Sequence, residues 1–370
     1  MIYADNAATT RLDPAALEAM LPYLKEEYAN PSQPYSFARK AKKAIAGARE
    51  TIAGILGAEP EEIFFTSGGT ESDNWAIKGT NPVGRNHIVA GDMEHHAVLH
   101  ACEAMKRQGW EVSYVPPERD GTILLEKLKS LLREDTALVT VQLANNETGA
   151  IEPIASLAEA AHERGAVFHT DAVQAAGHIP VNVKELGVDL LSASAHKFNG
   201  PKGIGFLYRK TGIPLLPYQD GGAQERGNRA GTENVAAIAG MARALEINAG
   251  VMEETAERLR AYERILLGAL EGMEFRYNGA ENHVPGNMSL SFRGLDGEAI
   301  LHRMDLMGVA ISTGSACTSG RTTISHVLKA MGMPEEWARG TVRVSLGRFN
   351  TEEEVRTIAG HLRKIAGEAQ

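Results

Sequence analysis

Between residues 50 and 210 seven short runs rich in β-branched and aromatic residues alternate with segments of helical period. Parallel strands cannot be joined by a tight hairpin and need a long crossover, usually a helix, so this alternation predicts crossover units on a largely parallel sheet. The expected strands are Ile63–Thr66, His87–Ala90, Val112–Val115, Leu138–Leu143, Val167–Thr170, Leu190–Ala193 and Gly205–Tyr208. Leu99–Gln108, Leu124–Leu132 and Ile154–Arg164 read as amphipathic helices between them. The fold class is therefore α/β, with helices on both faces of the sheet. Ligands of such sheets collect at the carboxyl ends of strands, so the residues just after each strand carry the interest.

A chain of 370 residues exceeds one ordinary core, and two domains are expected. After the glycine-rich stretch Gly221–Gly227, one long helical pattern runs from about Asn234 to Met273 with a glycine at 250, and the boundary is placed there. Residues 13–250 would form the large domain, and residues 1–12 with 251–370 a smaller α+β domain. In the latter, strands are expected near Met288–Phe292 and Val342–Leu346, and helices near Gly297–Met307 and Thr351–Ala366.

Charged residues at 23% and hydrophobic ones at 43% exclude extensive disorder and low complexity. A formal charge of −9 leaves no overall basic footprint for nucleic acid or an anionic membrane. The longest apolar runs fall short of a membrane span and the N-terminus lacks an apolar signal core, so a soluble, cytoplasmic protein is expected. Two cysteines, Cys102 and Cys317, build neither a disulfide framework nor a zinc site, and each has to be judged alone.

Three strand ends carry candidate chemistry. Phe65-Thr66-Ser67-Gly68-Gly69-Thr70-Glu71 closes a strand with two glycines and a hydroxyl before a helical segment. Exposed N–H groups there make an anion site, although the same residues also read as a plain helix cap. Asp171 ends the strand that contains His169, with Gln174 three residues on; a carboxylate there calls for a cationic partner such as a protonated ring nitrogen, or serves as an N-cap. Lys197, in Ser194-Ala195-His196-Lys197, sits among small and apolar residues that favour the neutral amine needed to attack a carbonyl. An isolated lysine is more often a solvated charge, so its context has to raise it above that reading.

The order of the three motifs resembles the fold-type I pyridoxal-phosphate enzymes, class V aminotransferase-like, and more narrowly the NifS/IscS cysteine desulfurases. The resemblance spans nearly the whole chain. It includes Ala4-Asp5-Asn6-Ala7-Ala8-Thr9-Thr10, Glu94-His95-His96-Ala97-Val98, Asn145-Asn146-Glu147-Thr148-Gly149, Arg229-Ala230-Gly231-Thr232-Glu233-Asn234, Ser312-Thr313-Gly314-Ser315-Ala316-Cys317 and Val342-Arg343-Val344-Ser345-Leu346-Gly347. It implies a mixed, mostly parallel seven-stranded sheet in the large domain and pyridoxal 5'-phosphate as cofactor.

By the same resemblance, Lys197 is the attachment lysine, Asp171 the partner of the ring nitrogen, Gln174 that of the phenolic oxygen, and His95 the residue stacked on the ring. Gly69, Thr70, Ser194 and His196 would hold the phosphate. Thr232 would reach the phosphate of a neighbouring subunit, which implies a homodimer. Asn146, beside the cofactor, and Arg343 would orient the substrate carboxylate; a surface arginine is the alternative for Arg343, which lies in an alternating strand.

Cys317 lies in a run of small residues with two glycines, Thr313–Gly320, and reads as a nucleophile on a loop. Cys102 lies in a helical run and reads as a buried, inert thiol. The implied reaction converts L-cysteine to L-alanine and leaves the sulfur on Cys317 as a persulfide, for a sulfur acceptor or iron–sulfur scaffold protein. No resident metal is expected, though Cys317 could ligate an iron–sulfur cluster transiently during transfer.

Tyr35 and Ala38 depart from the family pattern, which has His and Gly there, in a loop that lies toward the active-site entrance in similar enzymes. Selenocysteine lyase or another carbon–sulfur lyase is the alternative activity, Lys202 the alternative attachment point, and a catalytically idle binding protein the alternative class.

Overall fold

The structure, a computed structural model, describes residues 1–313 and 324–368. The chain opens on strand β1 (Ile2–Tyr3). It then lays down β2 (Ile63–Thr66), β3 (His87–Gly91), β4 (Glu111–Val115), β5 (Thr136–Thr140), β6 (Val167–Asp171), β7 (Leu190–Ser194) and β8 (Gly205–Arg209). These seven form one sheet in the order β2-β8-β7-β6-β5-β3-β4. Strands β4, β3, β5, β6 and β7 are parallel, whereas β8 runs antiparallel to both β7 and β2.

All seven expected strands are present, and one shifts. The run expected at Leu138–Leu143 forms β5 at Thr136–Thr140. Beyond it the chain still pairs with its neighbour, Val141 N–H donating to His169 O at 3.2 Å and Leu143 N–H to Asp171 O at 2.8 Å. Inner strands such as β3 and β5 are buried at every residue because helices cover both faces, so their sequences read as unbroken apolar runs.

The register places the motifs. Thr66 lies opposite Gly205, Gly205 opposite Ser194, and Ser192 opposite Asp171. Because β8 reverses direction, the ends of β2, β6 and β7 and the start of β8 meet at one edge of the sheet.

The helical pattern expected over Asn234–Met273 is two helices, Val235–Gly250 and Met252–Ala269, bent by 68°. Helices Pro14–Lys25 and Arg39–Leu56 pack on the first of them. Among the described residues no single helix is long and apolar enough to cross a membrane.

Strands β9 (Phe275–Asn278), β10 (Asn287–Phe292), β11 (Val309–Ala310) and β12 (Thr341–Ser345) follow. An antiparallel sheet in the order β12-β10-β9 packs Met288, Leu290, Val342 and Val344 with Leu259, Ile358 and Leu362 in a second core, apart from the core built around Phe168, Leu191 and Phe206. β1 pairs in parallel with β11, which ties the N-terminus to the second core. A few residues later the Thr10 and Asp13 N–H groups donate to the His196 and Asn199 carbonyls at 2.8 and 2.9 Å, on the first. Residues 4–13 thus form a strap between the two cores, and it crosses directly beside Lys197.

Candidate active site

The turn after β2 is shaped by close backbone approach. Gly68 has φ 151°, a conformation that side chains disfavour. A Cβ on Gly205 would lie 2.4 Å from Ala193 O and 2.7 Å from Gly68 Cα, so only glycine lets β8 slot between β7 and the turn. Helix Gly69–Gly79 starts there with its first N–H groups unpaired by the helix itself. Glu71 in its first turn accepts from Ser67 N–H at 2.8 Å and pairs with Arg229 at 2.7 Å.

Asp171 ends β6 as a buried residue, and its Oδ1 accepts from Val173 N–H at 2.9 Å. Burial pushes its carboxyl up to about 6, with the Val173 hydrogen bond and the charge of Lys197 opposing the rise. Lys197 Nζ donates to the strap carbonyls of Ala7 at 2.6 Å and Ala8 at 2.8 Å. Gln174 Nε2 donates to the same Ala7 oxygen at 2.9 Å, which leaves the second N–H of its amide for another acceptor.

His95 caps helix His96–Arg107. Its Nδ1 accepts from Ala97 N–H at 3.1 Å, so the neutral ring carries its proton on Nε2. Burial, aided by the charge of Lys197, lowers its pKa to about 4 and keeps it neutral. His196 is lowered to about 4 as well, again chiefly by burial, and its Nδ1 lies 3.1 Å from Thr9 Oγ1.

Arg343 arrives from the other core. It is only 5% exposed, so it is not the surface arginine that its alternating strand allows. Nη1 donates to Asn146 O and Nη2 to Asp5 Oδ1, each at 2.8 Å, while buried Nε has no partner among the described residues. A guanidinium that is fixed on two sides and has an N–H to spare suits a carboxylate.

Gly69, Thr70, His95, Asn146, Asp171, Gln174, Ser194, His196, Lys197 and Arg343 all line one cavity of about 660 Å³. Lys202, the alternative attachment point, lines it too. Thr232 does not: it is exposed and lines a separate cavity of about 180 Å³ beside Thr66 and Ser67. Tyr35 is exposed and Ala38 buried at the start of helix Arg39–Leu56, and neither lines the large cavity. Cys102 is fully buried and its thiol is pushed up to about 12, mainly by burial, which fits the inert reading.

Cys317 lies outside the described residues; Thr313, which precedes that stretch, lines the cavity. Sequence reasoning missed Asp73, a buried carboxyl of the cavity wall, and the strap residues Asp5, Ala7 and Ala8. Asp73 is buried because most of its helix is, with Gly69, Ser72, Trp75, Ala76, Ile77 and Gly79 buried around it, and no pattern within a few residues of it in the sequence marks it out.

These residues fit pyridoxal phosphate. Helix-start N–H groups with Ser194 and His196 provide an anion cradle, and a Cβ on Gly69 would meet Val173 Cγ2 at 2.5 Å and close it. The buried Asp171 carboxylate suits a protonated ring nitrogen, and Lys197 Nζ suits an aldehyde carbon.

The chain matches the aminotransferase class-V family over residues 2–358. It is 45% identical over 372 aligned residues to "Cysteine desulfurase IscS" of Clostridium botulinum, covering 98% of this chain and 94% of that one. Among solved structures, a NifS-like protein superposes with a TM-score of 0.94 at 37% identity, covering 99% of both chains. SspA in complex with cysteine superposes with a TM-score of 0.84 at 34% identity, covering 95% of this chain and all (100%) of that one.

Proposed function

The chain belongs to the class-V aminotransferase family, and on that premise we propose that it is a pyridoxal-phosphate-dependent cysteine desulfurase whose reaction is carried by the residues of the large cavity. The observation that carries the reading is the convergence on that cavity of Lys197, Asp171 and the buried Arg343, drawn from two separate cores.

Pyridoxal phosphate, when bound, supplies an electron sink for the bonds at an amino acid's α-carbon. Gly69, Thr70, Ser194 and His196 hold its phosphate, and Asp171 keeps a proton on its ring nitrogen. Gln174 would offer its remaining amide N–H to the phenolic oxygen, and His95, neutral with its proton on Nε2, would help to hold the ring. Arg343 binds the carboxylate of L-cysteine with its unpaired Nε–H, and Asn146 helps to orient it. Lys197 Nζ, displaced from the strap carbonyls of Ala7 and Ala8, moves protons at the substrate's carbon atoms.

Cys317 accepts the sulfur. It lies four residues from Thr313, a span of at most about 14 Å along an extended chain, which is within reach of the cavity. The substrate's Cβ–S bond breaks and an S–S bond to Cys317 Sγ forms. The carbon skeleton leaves as L-alanine, with the hydrogen balance closed by the Cys317 thiol proton, so the step calls for no outside oxidant or reductant.

We further place the enzyme as a homodimer in which Thr232, exposed and outside its own chain's cavity, serves the phosphate of the second copy. Its sulfur passes to an acceptor or iron–sulfur scaffold protein, in the cytoplasm, where a catalytic thiol stays reduced. The division into residues 13–250 and residues 1–12 with 251–370 draws support from the two hydrophobic cores.

The test is an anaerobic assay of L-cysteine turnover together with the mass of the protein. With an added dithiol to reduce the persulfide, alanine and sulfide in equal amounts are expected; without it, alanine and one sulfur atom added at Cys317. Alanine formed with no adduct on any form of the enzyme would remove Cys317 from the mechanism, and faster turnover of selenocysteine would shift the activity to selenocysteine lyase.

A further inference from the structure

Among the described residues, Asp73 is the one cavity-lining carboxyl that the mechanism leaves unused and that is buried away from a cation. It sits on helix Gly69–Gly79 at 1% exposure, and its Oδ1 has no hydrogen-bond partner among the described residues. One of its oxygens, one of Asp171's and a ring nitrogen of His95 lie within 4.8 Å of one another. Two carboxylates this close in a buried site do not both ionise readily, because each charge raises the proton affinity of the other.

The surroundings decide which of the two holds the proton. Asp171 has a backbone N–H donor in Val173 and the charge of Lys197 nearby. Asp73 faces His169 on β6, Nε2 at 3.7 Å from Oδ1, but that ring is fully buried and held neutral, its two nitrogens lying 2.8 Å from Thr140 Oγ1 and 2.9 Å from Ser192 Oγ. His95, at the start of the neighbouring helix, is held neutral too. Glu94, beside His95, is itself a buried acid whose pKa is raised well above the carboxylate range, so it too stays neutral. Burial, with the charge of Asp171 adding to it, drives Asp73 strongly toward its protonated form, and Ser192 offsets this only in part.

We propose that Asp73 is a positioning residue that sits as a neutral carboxylic acid beside Asp171, so that the cavity offers the cofactor's ring nitrogen one carboxylate and not two. An ionised Asp73 would transfer the proton preference to Asp171 and discharge the group that faces the ring. The role in the cavity rests on the reading of Asp171 given above; the protonation of Asp73 does not.

The experiment compares the full-length chain loaded with pyridoxal phosphate with its Asp73→Asn and Asp171→Asn variants. A group that keeps its proton in the folded state and loses it on unfolding makes stability fall as pH rises, and asparagine removes that dependence. The unfolding midpoint of Asp73→Asn, relative to wild type, should therefore rise by about 2 °C or more between about pH 5.5 and 8.5. Its affinity for the cofactor at neutral pH should stay within about threefold of wild type, well short of the 1.4 kcal/mol that a tenfold change represents.

Parallel midpoints across that range, or cofactor binding weakened tenfold or more, overturn the proposal. If the variant does not fold, infrared spectra of the wild type made with carboxyl-13C-labelled aspartate take its place, the label separating aspartate from the buried acid of Glu94: an isotope-shifted protonated-carboxyl stretch at neutral pH supports the proposal, and its absence overturns it. Wild-type cofactor affinity in Asp171→Asn overturns the ring-nitrogen reading, and with it the role of Asp73, while leaving its protonation state to the midpoints.

Discussion

Arg343 Nη2 and Asp5 Oδ1 lie 2.8 Å apart, an ion pair that joins the middle of β12 to the strap at the start of the chain. The arginine side chain is 6% exposed and the aspartate 20%, so the pair is shielded and not an ordinary surface contact. It fixes the direction of the guanidinium, whose Nε remains for a ligand.

Loosening this pair should act on substrate capture more than on chemistry. Asp5→Asn is expected to raise KM for L-cysteine about tenfold with kcat within about threefold, since a lost charge-assisted contact is worth about 1.5–3 kcal/mol. Arg343→Lys, which lacks the planar fork, should lower kcat/KM by about 100-fold or more. Steady-state kinetics decide; a variant of Asp5 that lowers kcat alone would speak against a role in carboxylate binding.

Lys197→Ala should purify without the visible absorbance of covalently held cofactor, while Lys202→Ala keeps it. Both lysines line the cavity, so the pair of spectra separates them. A retained band in the Lys197 variant moves the attachment to Lys202.

Cofactor affinity should depend on pH through Asp171. Its carboxyl is raised to about 6 by burial, so it carries its charge above that value and loses it below. Binding of pyridoxal phosphate to cofactor-depleted protein should weaken as pH falls through about 6, and Asp171→Asn should lose this limb and bind weakly throughout. Titration of affinity against pH on both proteins is the check, and identical profiles would falsify the assignment.

The two cysteines should behave oppositely. Alkylation of the native enzyme at neutral pH should stop turnover and label Cys317, and Cys317→Ser should abolish sulfide release with the cofactor spectrum unchanged. Cys102, with its thiol pushed up to about 12, should stay unlabelled until the protein unfolds. Cys102→Ala should cost about 1 kcal/mol of stability through the small void it leaves, with activity intact. Peptide mapping after labelling distinguishes the two sites.

The strand ends were legible in the chain because the inner strands are buried on both faces: His87–Gly91 and Thr136–Thr140 read as apolar runs, and a polar residue that closes such a run is conspicuous. Asp171 and Lys197 were found in this way. The helix Pro14–Lys25 was legible and passed over, since Asp13 followed by Pro14 is a start signal and Asp13 Oδ1 does accept from Ala15 N–H at 2.7 Å. Asp73 and Arg343 were harder. A carboxylate in a helical segment and an arginine in Val-Arg-Val-Ser-Leu both read as solvent-facing, and nothing within a few residues of either says otherwise.

The chain's own pattern determines the local elements, the turns that only glycine permits and the chemical kinds of residue that follow each strand, because these depend on side-chain volume, period and backbone freedom over a few positions. Only the tertiary structure decides what those residues face. The antiparallel insertion of β8 sets Thr66, Gly205 and Ser194 in one row, the strap carries Asp5 to Arg343 and the Ala7 and Ala8 carbonyls to Lys197, and helix packing turns Asp73 toward Asp171. Burial and charge pairing are properties of that arrangement. They separate a carboxyl that stays neutral from one that ionises, which residue type alone does not.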